Sequence, residues 1–318
     1  MIELSQYRPS DQHTWDTLIS NSKNSTFLFK RGFMDYHSER FSDSSLLFSK
    51  KGTVIGCFPA NYDKQNGRVY SHQGLTYGGI VIDKSSTSED VLDILELLRD
   101  YYKSKFNARE LIYKALPQIY SSYPSEEALY GLFCNNAILT SRNLSSTIDL
   151  SHPLNFTELR RRCIQKGNNA GLKVFETVAP QDIEEYWQIL YDCLQKNHNV
   201  KPVHSPAEMQ LLSGRFPNNI SLIISKDPDD KIVAGCWVFK CGRVLHTQYL
   251  ASSEKGRKNG ALDLVISELI STYSTGFKYL DFGISTEQDG YYLNKGLEFQ
   301  KEGFGGRGIC YDTYKLIL

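Results

Sequence analysis

The sequence predicts an α/β protein built from two tandem halves, and three observations carry that expectation. Strand-like and helix-like segments alternate along the chain. At 318 residues it exceeds the usual size of one domain and suits two. The halves also repeat landmarks in the same order: Val54-Ile55-Gly56-Cys57 with a turn at Gly67-Arg68-Val69, then Val233-Ala234-Gly235-Cys236 with a turn at Gly242-Arg243-Val244. Each set leads through a loop and an amphipathic helix to a buried strand, Leu111-Ile112-Tyr113 or Leu280-Asp281-Phe282. The expected domains are 1–150 and 151–318.

The elements follow from local pattern. Ile2 to Gln6 reads as a strand, and a helix begins after Pro9 with Trp15, Leu18 and Ile19 on one side. Strands are expected at Ser45 to Ser49, Thr53 to Asn61 and Val69 to Ser71, with turns at Lys51-Gly52 and 65–67. Ser88 to Lys103 carries helical apolar spacing, Glu110 to Lys114 a buried strand, and Ala137 to Asp149 extended residues. The second half opens with a basic helix from Phe156 to about Lys166 and a strand at Leu172 to Glu176. Helices then begin at Pro180 and Ser205, each with proline in its first turn. Strands follow at Ile220 to Ser225, Ile232 to Lys240 and Arg243 to Ala251, then a helix from Gly260 to Tyr273 and a strand from Tyr279 to Gly283. A short helix and a last strand near Ile309 to Leu316 end the chain.

Composition narrows the function. Lys plus Arg and Asp plus Glu number 36 each, so no global charge favours a polyanionic partner such as DNA. No basic region followed by an apolar run opens the chain, and no apolar stretch approaches the ~20 residues of a membrane span, so a cytoplasmic location is expected. The seven cysteines lack metal-ligand spacing, which predicts reduced, mostly buried thiols and no metal.

The segment YLASSEKGRKNGALDLVISELI, with GFKYLDFGIST and LEFQKEGFGG after it, resembles the GNAT superfamily of N-acyltransferases. More narrowly the chain is similar to the Fem-like branch, which fuses two GNAT-like domains. TELRRRCIQKGNNAGLKVF (157–175) is similar to the helix and strand that open the second Fem domain. SHQGLTYGGIVID (71–83) and Trp15 with SNSKNSTFLF resemble parts of the first. The resemblance implies two tandem domains, each a mixed central sheet flanked by helices. The first would be degenerate and shape the acceptor site; the second would bind the donor and catalyse. Two departures stand out. No long helical hairpin is present, and Leu262 replaces the small residue that usually closes the GNAT pyrophosphate loop.

An N-acyl transfer needs a held donor, a polarised carbonyl, a deprotonated amine and a proton for the leaving group. Arg257, Lys258, Asn259, Gly260 and Ala261 sit at a helix start, where backbone N–H groups and the dipole suit a diphosphate; an ordinary polar loop capped by Asn259 is the alternative. Strict alternation along Arg243 to Ala251 puts Val244, His246, Gln248 and Leu250 on one face, and Leu245, Thr247 and Tyr249 on the other. The resemblance gives Gln248 a donor contact, and His246 is the one side chain there of a type whose unperturbed pKa lies near neutrality; a satisfied core histidine is the alternative. Asp281 in an apolar strand demands a partner, a structural ion pair or a substrate. Tyr291 and Tyr292 are expected to begin the next helix, where the resemblance implies a tyrosine that protonates the departing thiolate; packing competes. Lys301, in a Gly-rich run to Gly306, could hold a phosphate or stabilise an oxyanion, or be a solvated lysine on a bend. Arg160, Arg161, Arg162 and Lys166 make one helix end basic, a solvated face or a phosphate contact. In the first half, Tyr77, Gly78 and Gly79 are the candidates for contacting the acceptor.

These expectations converge on transfer of an acyl group from acetyl-CoA or another acyl-CoA to an amine of a small molecule or a cell-envelope or polysaccharide precursor. Two alternatives stay open: a Fem-like aminoacyltransferase using aminoacyl-tRNA, and a degenerate GNAT pair that only binds.

Overall fold

The computed structural model describes residues 1–198 and 200–318. It divides into two compact units that are not continuous in sequence. Unit 1 holds 1–144, 286–293 and 310–318; unit 2 holds 145–285 and 294–309. The sequence-based division expected one cut near 150. The return at 310–318 has no local signature, because it is fixed by strand pairing with Glu110–Lys114 far back in the sequence.

In unit 1, β1 (Ile2–Gln6), β2 (Leu46–Lys50), β3 (Thr53–Phe58) and β6 (Val81–Ile82) form an antiparallel sheet. A second sheet pairs β4 (Asn61–Asp63) with β5 (Arg68–Tyr70), then β5 with parallel β7 (Glu110–Lys114), then β7 with the end of β16 (Arg307–Ile317). Its helices are α1 (Gln12–Asn21), α2 (Arg31–Met34), α3 (Ser88–Phe106) and α4 (Glu127–Cys134). The α3 cap is strong: Thr87 and Asp90 satisfy each other's backbone N–H groups. Its apolar stripe, Val91, Ile94, Leu95, Leu98 and Tyr102, is buried against Leu46, Phe48, Phe58, Leu111 and Leu316.

Unit 2 begins inside β8 (Ile138–Asp149). Its helices are α5 (Glu158–Asn169), α6 (Pro180–His198), α7 (Pro206–Arg215), α8 (Glu254–Lys258), α9 (Ala261–Glu268) and α10 (Lys295–Gly303). Strands β9 (Lys173–Thr177), β10 (Ile220–Lys226), β11 (Ile232–Cys241) and β12 (Val244–Ser252) run antiparallel in that order. β12 then lies parallel to β13 (Tyr279–Ile284), which pairs antiparallel with β8. Leu264, Val265 and Leu269 pack with Ala234, Cys236, Val238, Leu245, Leu280 and Phe282 in one core. The repeated landmarks prove to be one design used twice: a hairpin turned by a glycine with positive φ (Gly67 at 63°, Gly242 at 61°), then a long crossover to a parallel neighbour.

Three elements differ from expectation. The helix expected through Tyr273 is α-helical only to Glu268 and closes in a π turn over Leu269–Tyr273. A separate short helix, α8, precedes it. Tyr291 and Tyr292 do not begin a helix: Tyr292 lies in the two-residue strand β15 (Tyr292–Leu293), paired with β14 (Thr286–Glu287), and α10 starts at Lys295 under an Asn294 cap. The Gln288-Asp289-Gly290 run, all at positive φ, makes the tight hairpin that a helix start would exclude.

Candidate active site

The site in unit 2 begins with the way β12 and β13 part. They pair through Val244–Tyr279, Leu245–Leu280 and His246–Asp281, and there the pairing ends, although β12 runs on to Ser252 and β13 to Ile284. Sequence pattern does not disclose this, because both strands stay extended past the divergence. A bulge accompanies it. Tyr249 lies opposite Trp237 and Thr247 opposite Val238, so Gln248 is the extra residue of the bulged strand. The bulge corrects the expected alternation. Leu250 changes to the face of Leu245 and Thr247, and Tyr249 joins His246 on the other. Gln248 cannot share a regular strand face with His246.

The two faces differ in chemistry. Leu245, Leu280 and Phe282 point into the core against α9. His246 and Asp281, one residue out of step, point to the opposite face, where Tyr186 of α6 packs on Gly235. His246 Nδ1 lies 2.9 Å from Asp281 Oδ2. Asp281 is 0% exposed, and its other oxygen accepts from Ser145 Oγ at 2.5 Å and Thr147 Oγ1 at 3.0 Å. These bonds offset the cost of burying a carboxylate. The Ser145-Ser146-Thr147 run inside a strand was the sequence signal for that partner set, and it was missed. With Nδ1 donating to Asp281, the basic nitrogen of the neutral ring is Nε2.

On the core side a cleft of about 530 Å³ opens in unit 2. Its walls come from α5, α6, the end of β12, the α8–α9 segment, Phe282 of β13 and α10. Of the expected donor loop, Arg257 and Gly260 line it, as does Gly256. Lys258 instead projects outward beside Glu254, Asn259 ends α8, and Ala261 is buried. Arg257 Nη1 donates to the carbonyl of Ser252 at 3.1 Å. The glycines have a packing reason. A Cβ on Gly260 would sit 2.2 Å from the Cys163 carbonyl oxygen, and one on Gly256 2.1 Å from that of Val233. The opening N–H groups of α9 lack intrahelical partners, as in any helix, and suit an anion. The position that departs from the GNAT pattern, Leu262, also lines the cleft.

Lys301 lines the cleft too but is 4% exposed, not a solvated lysine on a bend. Its Nζ donates to the carbonyls of Gly283 at 2.7 Å and Ile284 at 2.9 Å, tying α10 to the diverging end of β13. Burial pushes its amine down to about 8, with Asp281 and Glu298 opposing. Arg160 is likewise not part of a free basic face: it pairs with Asp263 at 2.7 Å inside the cleft and lies over the Phe304 ring. Arg161 and Arg162 remain exposed beside Glu158. Tyr291 and Tyr292, 90% and 53% exposed, group with unit 1, and neither lines the cleft.

The equivalent gap in unit 1 is filled. Past the β5–β7 pairing, Ser71 N donates to the Ile112 carbonyl at 2.9 Å, Lys114 N to Ser71 Oγ at 2.8 Å, and Gly78 N to the Lys114 carbonyl at 2.8 Å. Tyr77 is 2% exposed, with its hydroxyl on Thr26, and a Cβ on Gly79 would strike the Tyr113 hydroxyl at 2.4 Å. Tyr77, Gly78 and Gly79 therefore stand inside unit 1 as the plug of that gap. Of the seven cysteines, all free, Cys57, Cys236 and Cys241 are buried, fewer than expected; Cys163 and Cys193 line the cleft.

Residues 158–292 match the family model of the acetyltransferase (GNAT) domain. No curated protein matches the chain. Among solved structures it is similar to FemX, at 11% identity over 99% of this chain and 97% of that one, with a TM-score of 0.71. It is also similar to L-PGS from Bacillus licheniformis, at 12% identity over 98% and 92%, TM-score 0.64. A tandem GNAT protein from the clavulanic acid biosynthesis pathway matches at 10% identity over 100% and 98%, TM-score 0.55. Identities this low speak for the fold.

Proposed function

We propose that unit 2, which holds most of the stretch 158–292 that matches the GNAT acetyltransferase model and which belongs to a Fem-like tandem fold, transfers an acyl group from acyl-CoA to an amine. The observation that carries the reading is the parting of β12 and β13 immediately past His246 and Asp281, with the cleft on one face of the gap and the His–Asp pair on the other. The carrier's arm would lie along the freed edge of β12, with Arg257 and the α9 N-terminus at its phosphates. Backbone N–H groups freed in the gap would face the thioester carbonyl and stabilise the developing oxyanion. His246, oriented by Asp281, would take the proton from the attacking amine through Nε2. Loss of the thiolate completes the transfer, with Lys301, a buried cation of the cleft wall, available to that charge.

The acceptor in this reading is an amine of a small molecule or an envelope or polysaccharide precursor, and the enzyme works in the cytoplasm. Among the described residues no helix is long and apolar enough to cross a membrane. The deciding experiment is calorimetric titration of the protein with CoA, acetyl-CoA and an aminoacyl-tRNA. Saturable binding of CoA supports the reading. Binding of the charged tRNA alone would move the assignment to aminoacyl transfer, a reading favoured by exposed Arg161, Arg162 and Lys166 along α5.

A further inference from the structure

The composition of the cleft wall restricts the acyl group. Polar lining runs from Ser252 at the end of β12 through Gly256 and Arg257 of α8 to Gly260 ahead of α9, and Gln300 and Lys301 add to it from α10. The apolar lining includes Phe282 of β13, Ile266 of α9, Leu297 and Phe299 of α10, Phe304 just after it, and Leu250 of β12. The Phe282 and Phe304 rings lie 6.1 Å apart, and Phe299 lines the cleft while staying 59% exposed, so apolar surface reaches the mouth. Asp263 is the one acid among the described lining residues, and Arg160 already holds it at 2.7 Å.

We infer that this cleft takes a neutral aliphatic acyl chain longer than acetyl, laid against the Phe282–Phe304–Leu297 wall; the inference rests on the donor reading above. A pantetheine arm carries amides and needs the hydrogen-bonding strand edge, which assigns it to the β12 side and leaves the apolar wall for the chain. A charged acyl group is disfavoured on the same surface: of the cations there, Lys301 already holds the Gly283 and Ile284 carbonyls and Arg160 already holds Asp263. An ammonium there would lose its hydration with no unengaged carboxylate among the described lining residues. An acetyl group would leave most of the wall uncovered.

Burial of one methylene strengthens binding roughly fourfold. Titration of the full chain with CoA and with acetyl-, butyryl-, hexanoyl- and octanoyl-CoA should therefore give dissociation constants that fall by about 15-fold per two added methylenes until the wall is covered. The heat-capacity change of binding should grow more negative along the same series. Leu297 is half-buried on α10 and lines the cleft, so Leu297→Trp should flatten the series by occupying the wall. Equal affinity for acetyl- and octanoyl-CoA, or a slope that Leu297→Trp leaves intact, would overturn the inference while the donor reading stands. Failure of CoA and every thioester to bind would overturn the donor reading itself.

Discussion

His246 and Asp281 are the last opposed residues of two parallel strands, and their side chains meet at 2.9 Å on the face away from the cleft. The relationship is both mechanical and chemical. The pair marks where backbone pairing ends, and it fixes a histidine at the floor of the gap. Gly283 follows at a φ of 75°, and a Cβ there would approach His246 Cε1 at 3.4 Å, so glycine lets β13 turn aside next to the ring.

If His246 is the base, His246→Ala should lower kcat by 10²–10⁴-fold with the dissociation constant of the acyl donor unchanged. Asp281→Asn should lower it by a similar factor, because the amide can present its NH₂ to Nδ1 and favour the wrong tautomer. Steady-state kinetics with a primary amine acceptor, paired with calorimetry of the donor, separates the two effects. Full activity in both variants would remove the dyad from the chemistry.

The donor loop is better probed at Arg257 than at its glycines. Gly260 has a φ of 69° and no room for a side chain against Cys163, so Gly260→Val should cost about 3 kcal/mol or more of stability whatever it does to binding. Arg257 holds one carbonyl at the cleft lip. Arg257→Ala should weaken CoA binding about 10–100-fold, the worth of a charge-assisted phosphate contact, with a small change in urea midpoint. Undiminished binding would move the phosphates elsewhere.

Much of the fold was legible because periodicity and turn chemistry are local. The helices at Ser88 and Pro206 announce their caps, and Gly67 and Gly242 mark hairpins in both halves. The site was legible in part. His246 and Asp281 stand out as polar residues in apolar strands, while Arg257 and Lys301 stand out only through the Gly-containing segments that carry the family resemblance. Their geometry was hidden, since one bulged residue, Gln248, reverses the face of everything after it, and such a shift leaves no trace in composition. Tyr291 and Tyr292 misled because a tyrosine pair after a strand fits a helix start as well as a hairpin, and three successive positive-φ residues decided it.

Lys301 separates charge stabilisation from simple tethering. Its amine, pushed down to about 8, is held by two carbonyls at the end of β13. Lys301→Met keeps the stem and removes the charge. Loss of ~10²-fold in kcat, with the donor's KM unchanged, is expected if the ammonium meets charge in the transition state. The wild-type rate should then fall as pH rises through about 8. A variant with lowered thermal midpoint and intact kcat would make Lys301 a tether alone.

The last prediction concerns His72 in the plug of unit 1. Its ring is 4% exposed and stacked on His37 at 5.4 Å, and its backbone has a φ of 67°. Nδ1 is buried without a hydrogen-bond partner among the described residues. Burial holds its pKa well below 6.5, and His37, Lys114 and Arg31 push the same way, since a proton on His72 would join three other basic groups in one interior. The sign follows from the protons each state binds. The unfolded chain takes up a proton as pH falls through about 6.5, whereas the folded chain keeps His72 neutral, so stability is full above that pH and drains away below it. Asparagine accepts the left-handed backbone and does not titrate. His72→Asn should therefore lose some packing at pH 8 yet show a smaller drop in urea midpoint between pH 8 and pH 5 than the wild-type chain. An unchanged drop would place the acid sensitivity elsewhere. Since this loop occupies in unit 1 the gap that stands open in unit 2, acid loosening should appear first as hydrogen exchange at Ser71 and Gly78, whose amides close the plug.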